Sequence, residues 1–379
     1  MLYQLPIPQK YSKMSPDELR AGILDFKRRL GSRLVILGHH YQQDDVIEYA
    51  DFTGDSLKLS QLAADQKQAE FIVFCGVHFM AESADILTGG TKAVILPDLS
   101  AGCSMADMAH IDQVETAWPV LEEYAGMPIT PVTYVNSSAA VKGFVGRKGG
   151  ACCTSSNAKM VLEWALHGAT PDGDPNAGHK VLFAPDQHLG RNTAYALGWP
   201  LDSMAVYDPK LPDGGLTPEQ IRAARVLLWK GHCSVHQLFN TKQVDAIRAM
   251  PEPWTVLVHP ECSWEVCQRA GMVGSTEYII KTVRDAPAGS HWAVGTEVHL
   301  VHRLVKQFAD KHVRSVANIQ CLCTTMYRID QKHLYWTLEN LVEGRVVNQI
   351  RVDEETAHYS RVALDRMLAL KPSQPVSAK

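Results

Sequence analysis

Eight short apolar runs recur along the 379-residue chain, and each is followed directly by small, polar or ionisable residues. The runs occupy residues 34–37, 71–74, 93–96, 129–135, 181–184, 226–229, 256–258 and 291–294. Near-continuous apolar strands of this length are typical of parallel sheets that are buried on both faces. Helix-like stretches lie between them, at 61–67, 158–167, 265–271 and after Ser15, where a capping serine precedes a proline. The pattern predicts an α/β protein built from several sheets.

The residues that follow these strands are expected to lie close together. In open parallel sheets, ligands bind outside the carboxyl ends of the strands. Nearly all the unusual residues of this sequence lie at such ends, among them its turn cysteines, many of its histidines and its hydroxyl clusters. The alternation of a strand with a reactive turn suggests three similar units, although no aligned repeat period is visible.

Composition excludes several classes of protein. Hydrophobic residues make up 46% of the chain and charged residues 21%, which is typical of a globular protein and not of a disordered one. The formal net charge of −4 gives no basic excess to neutralise a nucleic-acid backbone. No apolar run reaches the roughly 18 residues of a membrane span, and the first residues lack the order of a signal peptide. We therefore expect a cytoplasmic protein that binds neither nucleic acid nor membrane.

The nine cysteines need a chemical or a structural reason. An odd number in a cytoplasmic chain argues against a disulfide framework. Three of them lie in turn segments after apolar runs, Cys103 in SAGCSM, Cys233 in GHCSVH and Cys323 in CLCTTM. Three thiolates from distant turns could hold one iron–sulfur cluster or a zinc ion. On spacing alone they could also be three unrelated buried thiols, because free cysteine is a common buried residue.

Seven histidines also lie in strand-end segments. They are His39, His40, His78, His188, His232, His236 and His259. Imidazole titrates near neutrality, so these side chains are candidate acids, bases or anion contacts. The sequence His259-Pro-Glu261 places an imidazole and a carboxylate two residues apart, an arrangement suited to proton transfer.

Four segments combine hydroxyl or amide side chains with a predicted helix start. They are GDSLKLS (54–60), TYVNSSAAVK (133–142), CTSSNA (153–158) and VGSTEYI (273–279). Helix N-termini with such residues favour carboxylates and phosphates, although each segment could be only a cap. Four together indicate a ligand with several negative groups. Neither GxGxxG nor GxxxxGK followed by Ser or Thr occurs, so a nucleotide site of those types is not supported.

Ten motifs occur together and in order. They are GHHYQ, GDSLKLS, GVHFMAESADIL, LPDLSAGCS, TYVNSSAAVK, CTSSNA, FAPDQHLGR, HPEC, GSTEYI and CxCTTM. This succession resembles the quinolinate synthase family, the iron–sulfur quinolinate synthetase A enzymes of NAD biosynthesis. The sequence departs from some members in a longer loop at 143–153, which adds Cys152, and in a CxC motif where others carry CxxCxxC.

The resemblance implies a fold and a cofactor. The fold would be three similar α/β domains with short parallel sheets around a pseudo-threefold axis, with the active site at their junction. The domains would span about 1–110, 111–235 and 236–323, with the C-terminal helices in 324–379 packing back on the first. Cys103, Cys233 and Cys323, one per domain, would hold a 4Fe–4S cluster whose fourth iron is open to substrate. We favour Cys323 over Cys321 because the family's third ligand lies three residues before a methionine.

The resemblance also implies a transferase reaction. In this reaction, iminoaspartate and dihydroxyacetone phosphate condense to quinolinate, and phosphate and two waters are released. The implied substrate contacts are His39, Ser56, Tyr134, Val135, Asn136, Ser155, His259, Glu261, Ser275 and Thr276. Tyr41, His259 and Glu261 are the candidates for proton transfer. Functional coupling to L-aspartate oxidase and a monomeric or homodimeric state are further expectations.

Two other functions remain open at this point. The first is a zinc- or iron-dependent hydrolase with histidine and cysteine ligands. The second is a non-catalytic sensor of oxygen or iron, but the sequence contains no helix-turn-helix pattern and no basic stripe that such a sensor would use.

Overall fold

The computed structural model describes residues 3–169 and 178–370, which form three short sheets covered by helices. The first part of the chain contains α1 (Pro16–Leu30), β1 (Leu34–His39), α2 (Asp44–Ile47), β2 (Phe52–Gly54), α3 (Ser56–Asp65), β3 (Phe71–Cys75), α4 (His78–Thr88), β4 (Ala93–Ile95) and α5 (Ser104–Asp107). The second part contains α6 (Ile111–Tyr124), β5 (Ile129–Tyr134), α7 (Ala139–Arg147), β6 (Ala151–Cys153), α8 (Ala158–Leu166), β7 (Lys180–Ala184), α9 (Gln187–Ala196), β8 (Met204–Tyr207), α10 (Pro218–Ala223) and β9 (Val226–Trp229).

The last part of the chain adds a third sheet and the C-terminal helices. It contains α11 (Thr241–Arg248), β10 (Thr255–Val258), α12 (Trp264–Ala270), β11 (Met272–Val273), α13 (Thr276–Asp285), β12 (His291–Gly295), α14 (Val298–Gln307), β13 (His312–Ser315), α15 (Gln331–Val342), β14 (Gln349–Ile350) and α16 (Glu354–Ala369). No helix in 3–169 or 178–370 is both long enough and apolar enough to cross a membrane.

The three sheets share one strand order. The strands lie side by side as β4-β3-β1-β2 in the first sheet, β9-β7-β5-β6 in the second and β13-β12-β10-β11 in the third. In each sheet the first strand therefore lies between the second and the third, and all of these pairs are parallel. Two strands extend the edges, β8 beside β9 and the antiparallel β14 beside β4. The prediction of three similar α/β units is confirmed.

The strands form where the sequence predicted them because their apolar runs are covered on both faces. All residues of β1, β7 and β9 are buried, as parallel strands between helices require. The helix predicted after Ser15 is also confirmed, since the Ser15 side chain and Glu18 form a capping box. The helix predicted at 61–67 begins earlier, at Ser56, because the Asp55 carboxylate accepts the backbone N–H of Lys58 and caps it there.

The C-terminal elements contact two of the three units. Helix α15 packs on α1, and β14 joins the first sheet, whereas α16 packs mainly on α7 and β6 of the second unit. The α7–α16 contact is close: a Cβ at Gly146 would lie 1.9 Å from the carbonyl oxygen of Tyr359, so only glycine fits there. The domain boundaries given above stay a prediction, and residues 371–379 of the predicted C-terminal segment lie outside the described residues.

Candidate active site

The segments that follow the strands of all three sheets line one cavity. The predicted site residues on its wall are His39, Tyr41, Ser56, Cys103, Tyr134, Val135, Asn136, Ser155, Cys233, His259, Glu261, Thr276 and Cys323. A concave site with apolar walls and a few converging polar side chains suits a small-molecule ligand. Of the predicted site residues, only Ser275 does not line the cavity within the described part of the chain.

The first strand of each unit delivers two of these side chains. The pairs are His39 at the end of β1 with Tyr41 after it, Tyr134 at the end of β5 with Asn136 after it, and His259 and Glu261 after β10. Nδ1 of His39 accepts the backbone N–H of Tyr41 at 3.1 Å, and Nδ1 of His259 accepts that of Glu261 at 3.4 Å. Burial lowers the pKa of His39 well below its usual value and that of His259 to about 3. Both imidazoles are therefore neutral and carry their proton on Nε2.

The second strand of each unit leads into a hydroxyl-bearing helix start. Ser56 and Thr276 are the first residues of α3 and α13, and Ser155 lies three residues before α8. The predicted loop-to-helix positions are thus confirmed. None of the described residues on the cavity wall is a lysine or an arginine. Negative groups of a ligand would therefore be held by hydroxyls and helix N-termini.

Ser275 has a different environment from Thr276. Its Oγ accepts the backbone N–H of Tyr278 at 3.3 Å and so caps α13. The Ser156 hydroxyl donates to the same oxygen at 2.9 Å and joins the second unit to the third. Ser275 therefore caps α13 without lining the cavity, whereas Thr276 lines it.

In each unit, the strand beside the third strand of the shared order leads to one of the predicted metal ligands. Cys103 follows β4, Cys233 follows β9 and Cys323 follows β13, and all three thiols line the cavity. Burial raises the pKa of Cys103 to about 12, and the nearby Cys323 adds to the rise. Such thiols ionise only when a cation is bound beside them. Three half-buried thiols that converge on one cavity fit a thiolate-bound metal centre.

Cys321 lies apart from this set. Its side chain is 1% exposed, packs in the core of the third unit and does not line the cavity. Its Sγ lies 3.8 Å from the carbonyl oxygen of Ile319. The expected longer loop at 143–153 is wrong, because this segment contains the end of α7 and strand β6. Cys152 is fully buried in β6. Both thiols are packed in the protein core, as structural cysteines usually are.

Glu261 is an ionised carboxylate within the cavity. Its Oε2 lies 2.8 Å from Nδ1 of His236, whose ring stacks on that of His259 with centroids 4.6 Å apart. Burial alone would raise its pKa, but the His259 and His236 rings and hydrogen bonds from His236 and Tyr134 hold the pKa of Glu261 below its usual value. A carboxylate only accepts hydrogen bonds, so Nδ1 of His236 carries the proton of that contact.

Tyr41 is a protonated phenol at the same site. Its hydroxyl lies 2.9 Å from Oγ1 of Thr296 and 3.1 Å from Oγ1 of Thr276. Burial, and after it the negative charge of Glu261, raises the pKa of Tyr41 above its usual value. Because the phenol keeps its proton at neutral pH, it can donate it to a bound molecule.

Two residues of this network were not among the predicted site residues. His236 was one of the seven strand-end histidines, and a histidine three residues after a predicted ligand cysteine could have marked it. Thr296 follows β12 and carries no comparable signal, because threonine at the end of a strand is common. Its contact with Tyr41 joins residues 255 positions apart in the chain.

These features define an α/β enzyme whose buried polar site is built jointly by three repeated units around three converging thiols. A family model for the quinolinate synthetase A protein matches residues 21–369 of the chain. The chain is 53% identical over 363 residues to the quinolinate synthase of Anoxybacillus flavithermus, with 96% of both chains covered.

Other relatives agree with this match. The chain is 57% identical over 366 residues to the quinolinate synthase of Acidobacterium capsulatum, with 95% of both chains covered. It is 56% identical over 347 residues to that of a Nocardioides species, with 91% of this chain and 87% of the relative covered. The chain belongs to the quinolinate synthetase A family.

Proposed function

We propose that this chain condenses iminoaspartate with dihydroxyacetone phosphate to quinolinate, with release of phosphate and two waters. The observation that carries the proposal is the convergence of Cys103, Cys233 and Cys323 on a cavity that also holds an ionised Glu261 and a protonated Tyr41. The family and the names of the relatives support it.

The three cavity thiols would hold a 4Fe–4S cluster. They are half-buried on the cavity wall, they come from three different turns, and no described residue of that wall is a lysine or an arginine that would hold a thiolate without metal. When bound, a cluster with one iron free of protein ligands would supply a Lewis acid that assists the departure of hydroxide.

The substrates fit the polar part of the cavity wall. Iminoaspartate carries two carboxylates and its partner carries a phosphate, so the ligand pair is strongly anionic. The helix starts at Ser56 and Thr276 and the hydroxyl of Ser155 would bind these groups through hydroxyls and backbone N–H donors. The Nε2–H groups of His39 and His259 are two further hydrogen-bond donors. Because both rings are neutral, they do not neutralise the negative charge of Glu261.

The protonation states suggest how the proton transfers divide. Among the described carboxylates of the cavity wall, only Glu261 lies beside strand-end imidazoles. Because its pKa is low, Glu261 is ionised at neutral pH and can accept a proton. Tyr41 holds its proton and can give it to a leaving hydroxyl. We assign Glu261 as the general base and Tyr41 as a general acid, with His259 orienting the substrate.

A mononuclear metal hydrolase is the second candidate, because one observation favours it. Ligand atoms of Cys233, His236 and Glu261 all lie within 4.8 Å of one another. Against it, Nδ1 of His236 and Oε2 of Glu261 already share a 2.8 Å hydrogen bond, which a metal bound between them would have to break. The cavity also offers two further thiols that this site would leave without a role.

Anaerobic purification distinguishes the two candidates. We expect a coloured protein with a visible absorption shoulder, iron and sulfide in about equal amounts, and quinolinate formation from dihydroxyacetone phosphate and iminoaspartate generated in the assay. A colourless protein that contains zinc alone and forms no quinolinate would contradict the proposal. Removal of iron by a chelator should abolish product formation, and reconstitution with iron and sulfide should restore it.

A further inference from the structure

A fully buried lysine lies just behind the cavity wall. Lys142, the fourth residue of α7, is 0% exposed. Its Nζ donates to the carbonyl oxygens of Ser137 at 2.7 Å and Phe79 at 3.5 Å, and to Oγ of Ser83 at 3.0 Å. The Ser83 hydroxyl donates its own proton to the carbonyl oxygen of Phe79, so its oxygen accepts from the lysine. Three donors therefore meet three acceptors, which fits the charged ammonium form.

The charge of this ammonium group has no counter-ion in contact with it. All three acceptors are uncharged, and Lys142 forms no ion pair within the described part of the chain. The Glu82 carboxylate attracts it only at longer range, since it accepts the backbone N–H of Ala139 at 3.0 Å and lies 3.7 Å from Nδ1 of His78. A buried charge is normally paired, and the start of a helix disfavours a cation. Stability alone therefore does not explain this lysine.

The ammonium group is separated from the cavity by a single layer of residues. Phe79 lines the cavity, and the centroid of its ring lies 5.4 Å from Nζ of Lys142. Asn136 also lines the cavity, and it directly precedes Ser137, whose carbonyl oxygen accepts from the same Nζ. The lysine therefore contacts the wall from behind without reaching the ligand space.

The charged groups of the wall itself disfavour an anionic ligand. The acidic residues on the described wall are Asp55 and Glu261, and no lysine or arginine faces them there. Lys142 places an unpaired positive charge behind this wall. Because the charge is buried, salt and water screen it much less than they screen a surface lysine.

We propose that Lys142 supplies the positive potential that allows the cavity to hold a doubly negative ligand, so that it determines the preference for dicarboxylates over monocarboxylates without contacting them. This inference rests on the proposed function for the identity of the ligand. Coulomb attraction falls only with the inverse of distance, so a buried charge acts across one layer of residues. Its contribution to the binding free energy is proportional to the charge of the ligand.

Two substitutions and two ligands test the inference. Quinolinate carries two carboxylates, and picolinate lacks the second one. In both Lys142→Met and Lys142→Gln, calorimetric titration of the iron-loaded protein should show the Kd for quinolinate raised about tenfold and that for picolinate raised only about threefold. Glutamine keeps an N–H donor for the Ser137 carbonyl oxygen but has no charge. Wild-type affinity in Lys142→Gln, or an equal loss for the two ligands, would overturn the inference.

Lys180→Met is the matched control. Lys180 is also fully buried, and its Nζ donates to the carbonyl oxygens of Arg222 and Ala224. It is the first residue of β7 and so lies at the opposite end of the sheet from the cavity. Both Kd values should stay unchanged in this variant. A loss of quinolinate affinity equal to that in Lys142→Met would overturn the inference, because the effect would then not depend on proximity to the cavity.

A readout without substrate keeps this inference distinct from the proposed function. In the full chain before iron is added, alkylation of Cys103 by negatively charged iodoacetate is compared with alkylation by neutral iodoacetamide, and the modified peptide is quantified by mass spectrometry. The ratio of the two rate constants is independent of the thiolate fraction. It should fall about threefold in Lys142→Met and in Lys142→Gln and stay unchanged in Lys180→Met. If the wild-type protein forms no quinolinate, the proposed function fails while this ratio still tests the inference. An unchanged ratio in the Lys142 variants would overturn it.

Discussion

The imidazole of His236 lies nearly parallel to that of His259, with the ring centroids 4.6 Å apart and the planes 20° apart. One ring holds the Glu261 carboxylate at 2.8 Å, and the other accepts the backbone N–H of the same residue. The two histidines therefore hold one residue, His236 at its carboxylate and His259 at its backbone. A side chain that transfers a proton must be held in a fixed orientation relative to the substrate, and hydrogen bonds at two points of the same residue provide this.

Glu261→Gln should lower kcat by roughly 10²–10⁴. Glutamine keeps the shape and can still accept a hydrogen bond from His236, but it cannot take a proton. Steady-state kinetics on protein with normal iron and sulfide content measures the effect. A change in KM alone would assign Glu261 to substrate binding instead.

Cys323→Ala should abolish iron binding and activity, as Cys103→Ala and Cys233→Ala should. Cys321→Ala is the matched control two residues away, and it should retain both, because its thiol packs in the core and does not line the cavity. Iron and sulfide analysis of the four variants measures this. Loss of the cluster in Cys321→Ala with retention in Cys323→Ala would reverse the assignment.

Ser155→Ala should weaken the binding of a dicarboxylate analogue while leaving the free energy of unfolding nearly unchanged. Ser155 lines the cavity, and α8 behind it has Asn157 as its N-cap residue. Ser15→Ala gives the opposite pattern, since Ser15 caps α1 through a capping box far from the cavity. It should cost about 1 kcal/mol of stability with unchanged binding. Calorimetric titration and urea denaturation of both variants test the pair, and a stability loss in Ser155→Ala would make it a structural residue.

Asn192→Leu should destabilise the segment that carries His259 and Glu261. The Asn192 amide on α9 donates to the carbonyl oxygens of Pro260 at 2.8 Å and Cys262 at 2.9 Å. Leucine leaves both buried acceptors without this donor, so the free energy of unfolding should fall by about 1–3 kcal/mol. We also expect a lower kcat. A variant with wild-type stability in urea denaturation would show that these carbonyls find other partners.

Asp85→Asn should be more stable than the wild type at neutral pH. Burial raises the pKa of Asp85, so the folded protein binds this proton more tightly than the unfolded chain does, and the charged form weakens the fold. Asparagine removes the charge and can still accept the backbone N–H of Val352. The advantage should shrink as the pH falls through the raised pKa and the wild-type carboxyl becomes neutral.

The exposed cap Asp353 provides a control of opposite sign for that prediction. A hydrogen bond from the backbone N–H of Thr356 lowers the pKa of Asp353. Its stabilising effect is therefore present above the unfolded pKa and is lost as the pH falls through the folded one. Urea midpoints of Asp85→Asn and Asp353→Asn at several pH values should diverge from the wild type in opposite directions at neutral pH.

The long apolar strands could be predicted from the sequence, and the short edge strands could not. All eight apolar runs form strands because burial on both faces forces a continuous apolar sequence. In contrast, only Gly54 is buried in β2, and no residue of β13 is buried. Their sequences, Phe-Thr-Gly and His-Val-Arg-Ser, resemble loops. Their pairing is decided by the neighbouring strand.

The site was predictable where chemistry marks a residue and unpredictable where only geometry does. Cysteine, histidine and the His-Pro-Glu turn are unusual enough at strand ends to be noticed. Thr296 is an ordinary threonine whose importance comes from a partner in another unit of the chain. Contacts between residues this far apart depend on how the units pack, which no local pattern encodes.

The placement of the three predicted ligand thiols after β4, β9 and β13 has a consequence for biosynthesis. A ribosome releases the chain from the N-terminus, so Cys103 emerges as the first sheet is completed and Cys323 emerges only near the end. Domains generally fold as units in that order. The nascent protein therefore carries one, then two, of the three predicted ligand thiols through much of its synthesis, and oxidants can attack them before a metal is bound. Cys323 lies within the last sixth of the sequence, so the three predicted ligands come together only at the end of translation.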